Sequence, residues 1–138
     1  MTFYDISDFE PDLNEVKIMT DSIKLAEEIA KVLDEKKAID IVAIKTEEVT
    51  FVSDAFVIAT GTSSTHIKSL ADDVEYEIKK RLDIDPEHIE GKSTGWILLD
   101  YGTVLVHVFD KENREYYSLE RLWTDAARLD LSDIITED

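Results

Sequence analysis

The sequence predicts a single α/β domain, and three observations support that prediction. Its 138 residues are enough for one hydrophobic core but not for two. Short β-branched apolar segments alternate along the chain with segments of helical periodicity. The composition is globular, with 43% hydrophobic and 34% charged residues, and no apolar run approaches the ~20 residues that span a bilayer. We therefore expect one domain that makes no contact with a membrane.

Charge is the dominant feature of the composition. Lys and Arg number 15 against 32 Asp and Glu, which gives a formal net charge of -17. Such a chain repels phosphate backbones, so we expect no direct binding to nucleic acid. It would instead attract a basic protein surface, although solubility or a saline habitat explains the acidity equally well.

The chain contains no cysteine and only three histidines. Disulfides, thiolate metal sites and cysteine nucleophiles are therefore excluded, and we expect neither a metal nor a cofactor. The N-terminal stretch MTFYDISDFEPDLNE is acidic and lacks the basic and apolar regions of a secretory signal. A cytoplasmic location is the corresponding expectation.

The two ends of the chain carry part of the acidic excess. The first twenty residues hold five acids against one lysine, and the last fifteen hold five against one arginine. Both ends are therefore expected to be mobile. We predict a domain over residues 20–126, preceded by an acidic N-terminal extension (1–19) and followed by an acidic C-terminal tail (127–138).

A helix and two strands are predicted in the first half of the chain. Apolar residues recur at helical spacing from Thr20, and Thr20 or Asp21 would cap the start of this helix. The segments IDIVAIK (39–45) and AFVIAT (55–60) are β-branched and apolar on both faces, which favours buried strands. The apolar stripe of the helix consists of Ile23, Ala26, Ile29, Ala30, Val32 and Leu33.

A second helix is predicted over residues 63–82, with a basic last turn that suits the helix dipole. The segment DIDPEH then indicates an exposed connection, which we expect to run to Thr94. The segment GWILLDYGTVLVHVF predicts a β-hairpin with a Tyr101-Gly102 loop, and Ser118 is a suitable N-cap for LERLW. The apolar face of the second helix consists of Ile67, Leu70, Ala71, Val74 and Ile78.

The loop GTSS joins the second strand to the second helix, where many phosphate-binding loops lie. It has Gly61 as its one glycine and lacks the Walker and dinucleotide spacings, so a sharp turn with a capping hydroxyl is the favoured interpretation. Thr62, Ser63 or Ser64 would be the cap. Nucleotidyltransferases hold metal ions between converging carboxylates beside such a loop. The acids that follow here would fan around a helix instead: Asp72, Asp73, Glu75 and Glu77.

The histidines do not indicate catalysis. His66 lies beside two serines, but neighbours on one helical turn seldom have the geometry of a nucleophile and its base. We expect His66 on the helix surface and His88 in solvent. The sequence therefore indicates no reaction.

The predicted hairpin separates two surfaces. A Tyr101-Gly102 loop would pair Asp100 with Thr103 and Trp96 with His107. One side is aliphatic and is predicted to be core: Ile97, Leu99, Val104, Val106 and Val108. The other side, which we call the mixed face, carries Trp96, Leu98, Asp100, Thr103, Leu105, His107 and Phe109. Either the mixed face is a contact surface, because buried charges are costly and Trp is a frequent anchor, or a helix covers it with His107 inside.

Several strings together resemble the ribosomal silencing factor family, also called the iojap-like family. They are SDAFVIATGTSSTHIKSLADDVE, EGKSTGWILLDYGTVLVHVF and REYYSLERLW. The resemblance implies a mixed β-sheet flanked by helices, with the outline of a nucleotidyltransferase but without its catalytic residues. It further implies a protein that is not an enzyme, binds the large ribosomal subunit through its fourteenth protein at the intersubunit face, blocks subunit joining and represses translation.

The partner-binding residues predicted from these motifs and the hairpin lie on the mixed face. They are Trp96, Leu98, Asp100, Thr103, Leu105 and His107. We expect Trp96 to be the anchor and Asp100 to meet a basic side chain. Two alternatives stay open: a nucleotidyltransferase-like enzyme that uses the Gly61 loop, and a homodimer formed through the mixed face.

Overall fold

The computed structural model describes residues 13–46, 53–92, 94–122 and 127–135. Helices and strands alternate along the chain, as predicted. In order they are α1 (Leu13–Glu35), β1 (Ile39–Lys45), β2 (Ala55–Gly61), α2 (Ser64–Leu82), β3 (His88–Glu90), β4 (Trp96–Asp100), β5 (Val104–Asp110), α3 (Lys111–Tyr117) and α4 (Leu119–Leu122).

The strands form one mixed sheet with the order β1-β2-β5-β4-β3. The two central strands, β2 and β5, run parallel, and every other neighbouring pair is antiparallel. Strand β2 is buried along its whole length, as its continuous apolar sequence predicts. The prediction of an α/β domain with a mixed sheet is confirmed.

Helix α1 begins at Leu13, earlier than predicted. Thr20 and Asp21 lie inside it, so neither is its N-cap, and the predicted boundary between residues 19 and 20 falls within the helix. No glycine or proline occurs between Asp12 and Glu35, so nothing in the sequence interrupts the helix there.

Helix α2 matches its prediction closely. Ser63 is the N-cap, because its hydroxyl accepts a hydrogen bond from the backbone N–H of His66. The helix ends at Leu82, and Asp83 follows in the left-handed conformation with its N–H bonded to the carbonyl of Lys79. The buried residues are those predicted: Ile67, Leu70, Ala71, Val74 and Ile78.

Strand β1 has the predicted bounds but is less buried than expected, because it lies at the edge of the sheet. Its first residue, Ile39, is 42% exposed. The outer edge of its second half is covered by residues 127–129, where Leu129 donates to the carbonyl of Ala43 and Lys45 donates to that of Ala127. The C-terminal segment expected to be mobile is therefore packed against the sheet over residues 127–135.

Strand β3 lies where the sequence predicts an exposed connection. It has three residues and pairs antiparallel with β4, so that His88 lies opposite Asp100 and Glu90 opposite Leu98. Three residues show too little alternation to be recognised as a strand, and β3 is held by its neighbour. His88 is exposed, in agreement with its prediction.

The hairpin of β4 and β5 is present, but its loop is Gly102-Thr103 rather than Tyr101-Gly102. Tyr101 donates its N–H to the carbonyl of Val104, and Trp96 lies opposite Phe109. Gly102 has a φ of +84°, a conformation that glycine adopts without strain. The predicted pairing of Trp96 with His107 is therefore wrong by two residues, a shift that leaves every side chain on its predicted face.

The two faces of the sheet carry separate hydrophobic clusters. The aliphatic side of the hairpin packs with α1 and α2 into the main core, as predicted. A smaller cluster lies on the opposite face and consists of Ile44, Phe56, Ile58 and Phe109, with Leu119 packed against it. Ser118 does not cap α4 with its side chain, because its hydroxyl bonds back to the carbonyl of Glu115.

Candidate docking surface

The structure brings the predicted partner-binding residues together on one side of the molecule. The mixed face carries Trp96, Leu98 and Asp100 from β4 and Leu105 and His107 from β5, beside Thr103 in the hairpin loop. All are half-buried except His107, which is 5% exposed. A partner could therefore contact five of the six predicted residues directly.

Helices α3 and α4 cover one end of the mixed face. Phe109 is 1% exposed there, and the ring of Tyr117 lies 6.3 Å from it, between ring centroids. Leu119 of α4 packs onto the same cluster. Toward the hairpin loop, Leu98, Asp100, Thr103 and Leu105 stay partly exposed. The prediction of a covering helix therefore holds for the Phe109 end, and the contact surface stays a prediction for the rest of the mixed face.

Trp96 lies where the covered and open parts meet, and three aromatic neighbours fix its ring. The indole N–H donates to Nδ1 of His107 over 3.1 Å. The ring stacks on Phe109 with centroids 5.0 Å apart and lies 4.5 Å from the ring of Tyr117. A half-exposed Trp held in one orientation loses little conformational freedom on binding, which suits an anchor.

His107 supports Trp96 from beneath. Burial lowers the pKa of its imidazole to about 4, so the ring is neutral at physiological pH. Because Nδ1 accepts from Trp96, the ring proton lies on Nε2, which is buried and has no hydrogen-bond partner among the described residues. His107 offers almost no surface to a partner, and its contribution is to position Trp96.

Asp100 is placed at the hairpin end of the mixed face. One of its carboxylate oxygens accepts a hydrogen bond of 2.7 Å from the N–H of Gly102 and so stabilises the turn. The side chain is half-exposed and forms no ion pair with the described residues. Asp100 therefore presents a negative charge beside the apolar part of the surface.

Three residues outside the predicted set of six lie next to this surface. Tyr116 and Tyr117 extend it from the end of α3, and Tyr116 is 79% exposed. Helix α3 ends at Tyr117, because Ser118 follows in the left-handed conformation. Glu90 joins the surface through β3, which the sequence does not predict. Trp123 lies outside the described residues.

The polar groups of the Gly61 loop form hydrogen bonds within the protein. Thr62 donates its N–H to Nδ1 of His66, and Nε2–H of His66 donates to the carbonyl of Lys36. A Cβ on Gly61 would lie 2.6 Å from a methyl group of Ile67, so glycine permits the close approach of the helix. The prediction of a structural turn is confirmed. His66 lies on α2 as predicted, is half-buried, and its ring joins the Gly61 loop to the turn after α1.

The polar residues at the end of β2 also have a structural role. A cavity of about 300 Å³ lies there beside Arg114 of α3. The guanidinium donates to Thr60 over 2.9 Å and to the carbonyl of Asp40, and pairs with Glu120 at 3.0 Å. Arg114 lowers the pKa of the Glu120 carboxyl. The arginine joins α3 and α4 to the sheet.

The acids on α2 do not converge. Asp72 is exposed, and Asp73 lies one residue further around the helix. Within the residues described, no three His, Cys, Asp or Glu side chains lie close enough together to hold a metal ion. No helix among the same residues is both long and apolar enough to cross a membrane.

The fold and the exposed aromatic surface define a small α/β domain suited to binding another macromolecule. The family model described as "Ribosomal silencing factor during starvation" matches residues 19–138. The chain therefore belongs to the ribosomal silencing factor family, as the sequence motifs predict. The match includes residues 127–135, which pack against β1.

Individual relatives agree with this assignment. The ribosomal silencing factor of Bacillus subtilis is 41% identical over 106 residues, which cover 74% of this chain and 86% of the relative. The mouse protein named "Mitochondrial assembly of ribosomal large subunit protein 1" is 36% identical over 102 residues, covering 70% of this chain and 43% of its own length. Neither name describes an enzymatic reaction.

Solved structures support the fold. A crystal structure of a protein from Chromobacterium violaceum superposes with a TM-score of 0.67 at 33% identity, covering 77% of this chain and 86% of that one. A crystal structure from Bacillus halodurans gives a TM-score of 0.64 at 31% identity, with coverage of 81% and 99%.

Proposed function

We propose that this protein represses translation by binding the large ribosomal subunit through the open part of the mixed face. The observation that supports this most strongly is Trp96, held half-exposed by His107, Phe109 and Tyr117 in a member of the ribosomal silencing factor family. Large aromatic side chains fixed at a surface are typical binding anchors.

We infer that the partner on the subunit is a basic protein, the fourteenth of the large subunit, at the intersubunit face. A chain with a net charge of -17 is repelled by ribosomal RNA and attracted to a cationic protein surface. Asp100 supplies a negative charge on the same face as Trp96, at the other end of β4, as such a contact requires. The name of the mouse relative, which refers to assembly of a ribosomal large subunit, supports the choice of subunit.

The proposed mechanism is steric and involves no chemical step. A domain bound at the intersubunit face occupies space that the small subunit needs, so subunit joining is blocked while the complex lasts. The lifetime of the complex then determines the degree of repression, because differences in affinity between related interfaces arise mostly from dissociation. The rigid position of Trp96 favours slow dissociation.

The test is co-sedimentation of purified protein with large ribosomal subunits. The informative variant combines Trp96→Ala with Asp100→Asn, because Asn removes the charge but can still accept the hydrogen bond from Gly102. We expect binding to weaken about 100-fold, since an aromatic anchor and a negative charge on the same face are both lost. Addition of the parent protein should also reduce the yield of joined ribosomes in a sucrose gradient.

A matched control combines Tyr76→Ala with Asp73→Asn on α2, which packs on the opposite face of the sheet. Tyr76 is 65% exposed, so its removal costs little stability. This control should bind like the parent. Retained sedimentation of the Trp96 variant, with a parent-like circular dichroism spectrum, would contradict the proposed surface. Retained joining of subunits in the presence of bound protein would contradict the proposed mechanism.

A further inference from the structure

A cavity of about 230 Å³ lies at the edge of the mixed face, between β3 and β4. It is lined by Glu90, Gly91, Trp96 and Leu98. Glu90 lies opposite Leu98 in the pairing of the two strands, and Trp96 lies two residues before Leu98, so all three side chains are on the same face of the sheet. The cavity therefore opens directly beside the proposed anchor.

The walls of this cavity combine apolar surface with one negative charge. Trp96 and Leu98 supply the apolar surface, and the exposed carboxylate of Glu90 lies at its edge. Glu90 forms no ion pair within the part of the chain that the structure describes. The positive φ of Gly91, +82°, and the collision that a Cβ would make with the Trp96 carbonyl oxygen both require glycine there.

This combination indicates the chemistry of the group that fits. A purely apolar side chain would fill the cavity but would leave Glu90 without a counter-charge. A small cation would pair with Glu90 but would leave the surface of Trp96 and Leu98 uncovered. Lys and Arg side chains combine a long apolar stem with a terminal cation, and both interact favourably with the face of an indole ring.

We propose that this cavity receives a single lysine or arginine side chain of the ribosomal partner, with its stem against Trp96 and Leu98 and its charge at Glu90. This inference rests on the proposed function and deepens it, since it makes Glu90 a specificity-determining residue of the docking surface. Glu90 lies opposite Leu98 and Asp100 lies two residues after it, so both carboxylates adjoin Leu98 and the partner presents positive charge beside an apolar contact.

The test uses purified large ribosomal subunits and three single variants. Glu90→Gln keeps the shape of the side chain and removes its charge, and we expect it to weaken binding about tenfold. Glu90→Lys places a positive charge at the cavity, which would repel the partner's Lys or Arg, and should weaken binding further. The control, Glu87→Gln, makes the same change at an exposed acid that does not line the cavity, and its affinity should stay within about twofold of the parent.

The outcomes separate this inference from the proposed function. Parent-like binding by both Glu90 variants, with loss of binding by the Trp96 variant, would overturn the cavity assignment and leave the docking surface intact. Equal losses for Glu90→Gln and Glu87→Gln would also overturn it, because general charge would then explain the effect. If neither the Trp96 variant nor the Glu90 variants lose affinity, the docking surface itself is wrong.

Discussion

At the scale of single residues, a buried side chain, His107, fixes the position of a partly exposed one, Trp96. The indole is positioned by an imidazole that is neutral because it is buried. A protonated His107 could not accept the hydrogen bond at Nδ1, so the position of the anchor depends on the charge of a residue that a partner cannot reach.

This pair makes stability dependent on pH. The unfolded chain takes up a proton on His107 as the pH falls below the ordinary pKa of 6.5, whereas burial holds the folded pKa at about 4. The stability that depends on neutral His107 is therefore fully present above pH 6.5 and is lost as the pH falls toward 4. We expect a loss of about 2 kcal/mol in the free energy of unfolding between about pH 7 and about pH 5.

The measurement is urea unfolding of the parent and of His107→Asn at both pH values. The Asn oxygen can replace Nδ1 as the acceptor for Trp96 but does not titrate, so the variant should lack this part of the pH dependence. His88→Asn, at an exposed histidine, is the control and should behave like the parent. Identical pH dependence in all three proteins would show that His107 is not the source.

Residue types could be predicted at this scale, but their partners could not. The sequence places Trp96 and His107 on the same face, and the structure confirms that face. The hydrogen bond between them depends on a register that shifts by two residues when the loop moves to Gly102-Thr103. Tyr117 reaches Trp96 through tertiary packing, which no local pattern contains.

At the scale of elements, the C-terminal segment is part of the sheet domain. It adds hydrogen bonds to the outer edge of β1 and places Leu131 in the main core. This cover protects the second half of the edge strand from pairing with another chain. Five of residues 127–135 are apolar, but charged residues interrupt them and the segment is too short to show a clear helical or strand period, so the sequence hides this role.

Leu131 should therefore contribute to stability more than an exposed residue of the same region. Leu131 is 8% exposed, and we expect Leu131→Ala to lower the free energy of unfolding by about 2 kcal/mol. The control is Ile39→Ala on β1, which should cost clearly less because Ile39 is 42% exposed, against 8% for Leu131. Equal stability of the two variants in urea unfolding would contradict the packing of the segment.

Long elements with strong periodicity were predictable, and short ones were not. The apolar face of α2 and the whole of β2 follow from spacing and composition alone. Strand β3 and the break at Ser118 depend on pairing and packing with distant residues. The start of α1 was placed too late because a polar capping residue is also acceptable inside a helix.

At the scale of the whole molecule, charge governs the approach to a partner. The net charge of -17 acts over about one Debye length, whereas the contacts at Trp96 act only after docking. Association and dissociation should therefore respond to different changes. Salt should change mainly the association rate, and substitution of Trp96 mainly the dissociation rate.

We expect the association rate with the purified fourteenth large-subunit protein to fall roughly tenfold between about 50 mM and 500 mM salt. Trp96→Phe should leave this salt dependence unchanged and should raise the dissociation rate, since it alters the anchor without altering charge. Surface plasmon resonance measures both rates. An association rate that is constant or rises with salt would contradict attraction between an acidic domain and a basic partner.

The parallel pairing of β2 and β5 has a consequence for synthesis on the ribosome. Strand β2 is buried on both faces in the folded protein. Its parallel neighbour β5, however, is synthesised much later. A nascent chain that stops before β5 therefore exposes a hydrophobic strand with an unpaired side, which chaperones and proteases recognise. The domain can reach its native state only after β5 has been synthesised, so chains that terminate before β5 should be degraded rather than accumulate.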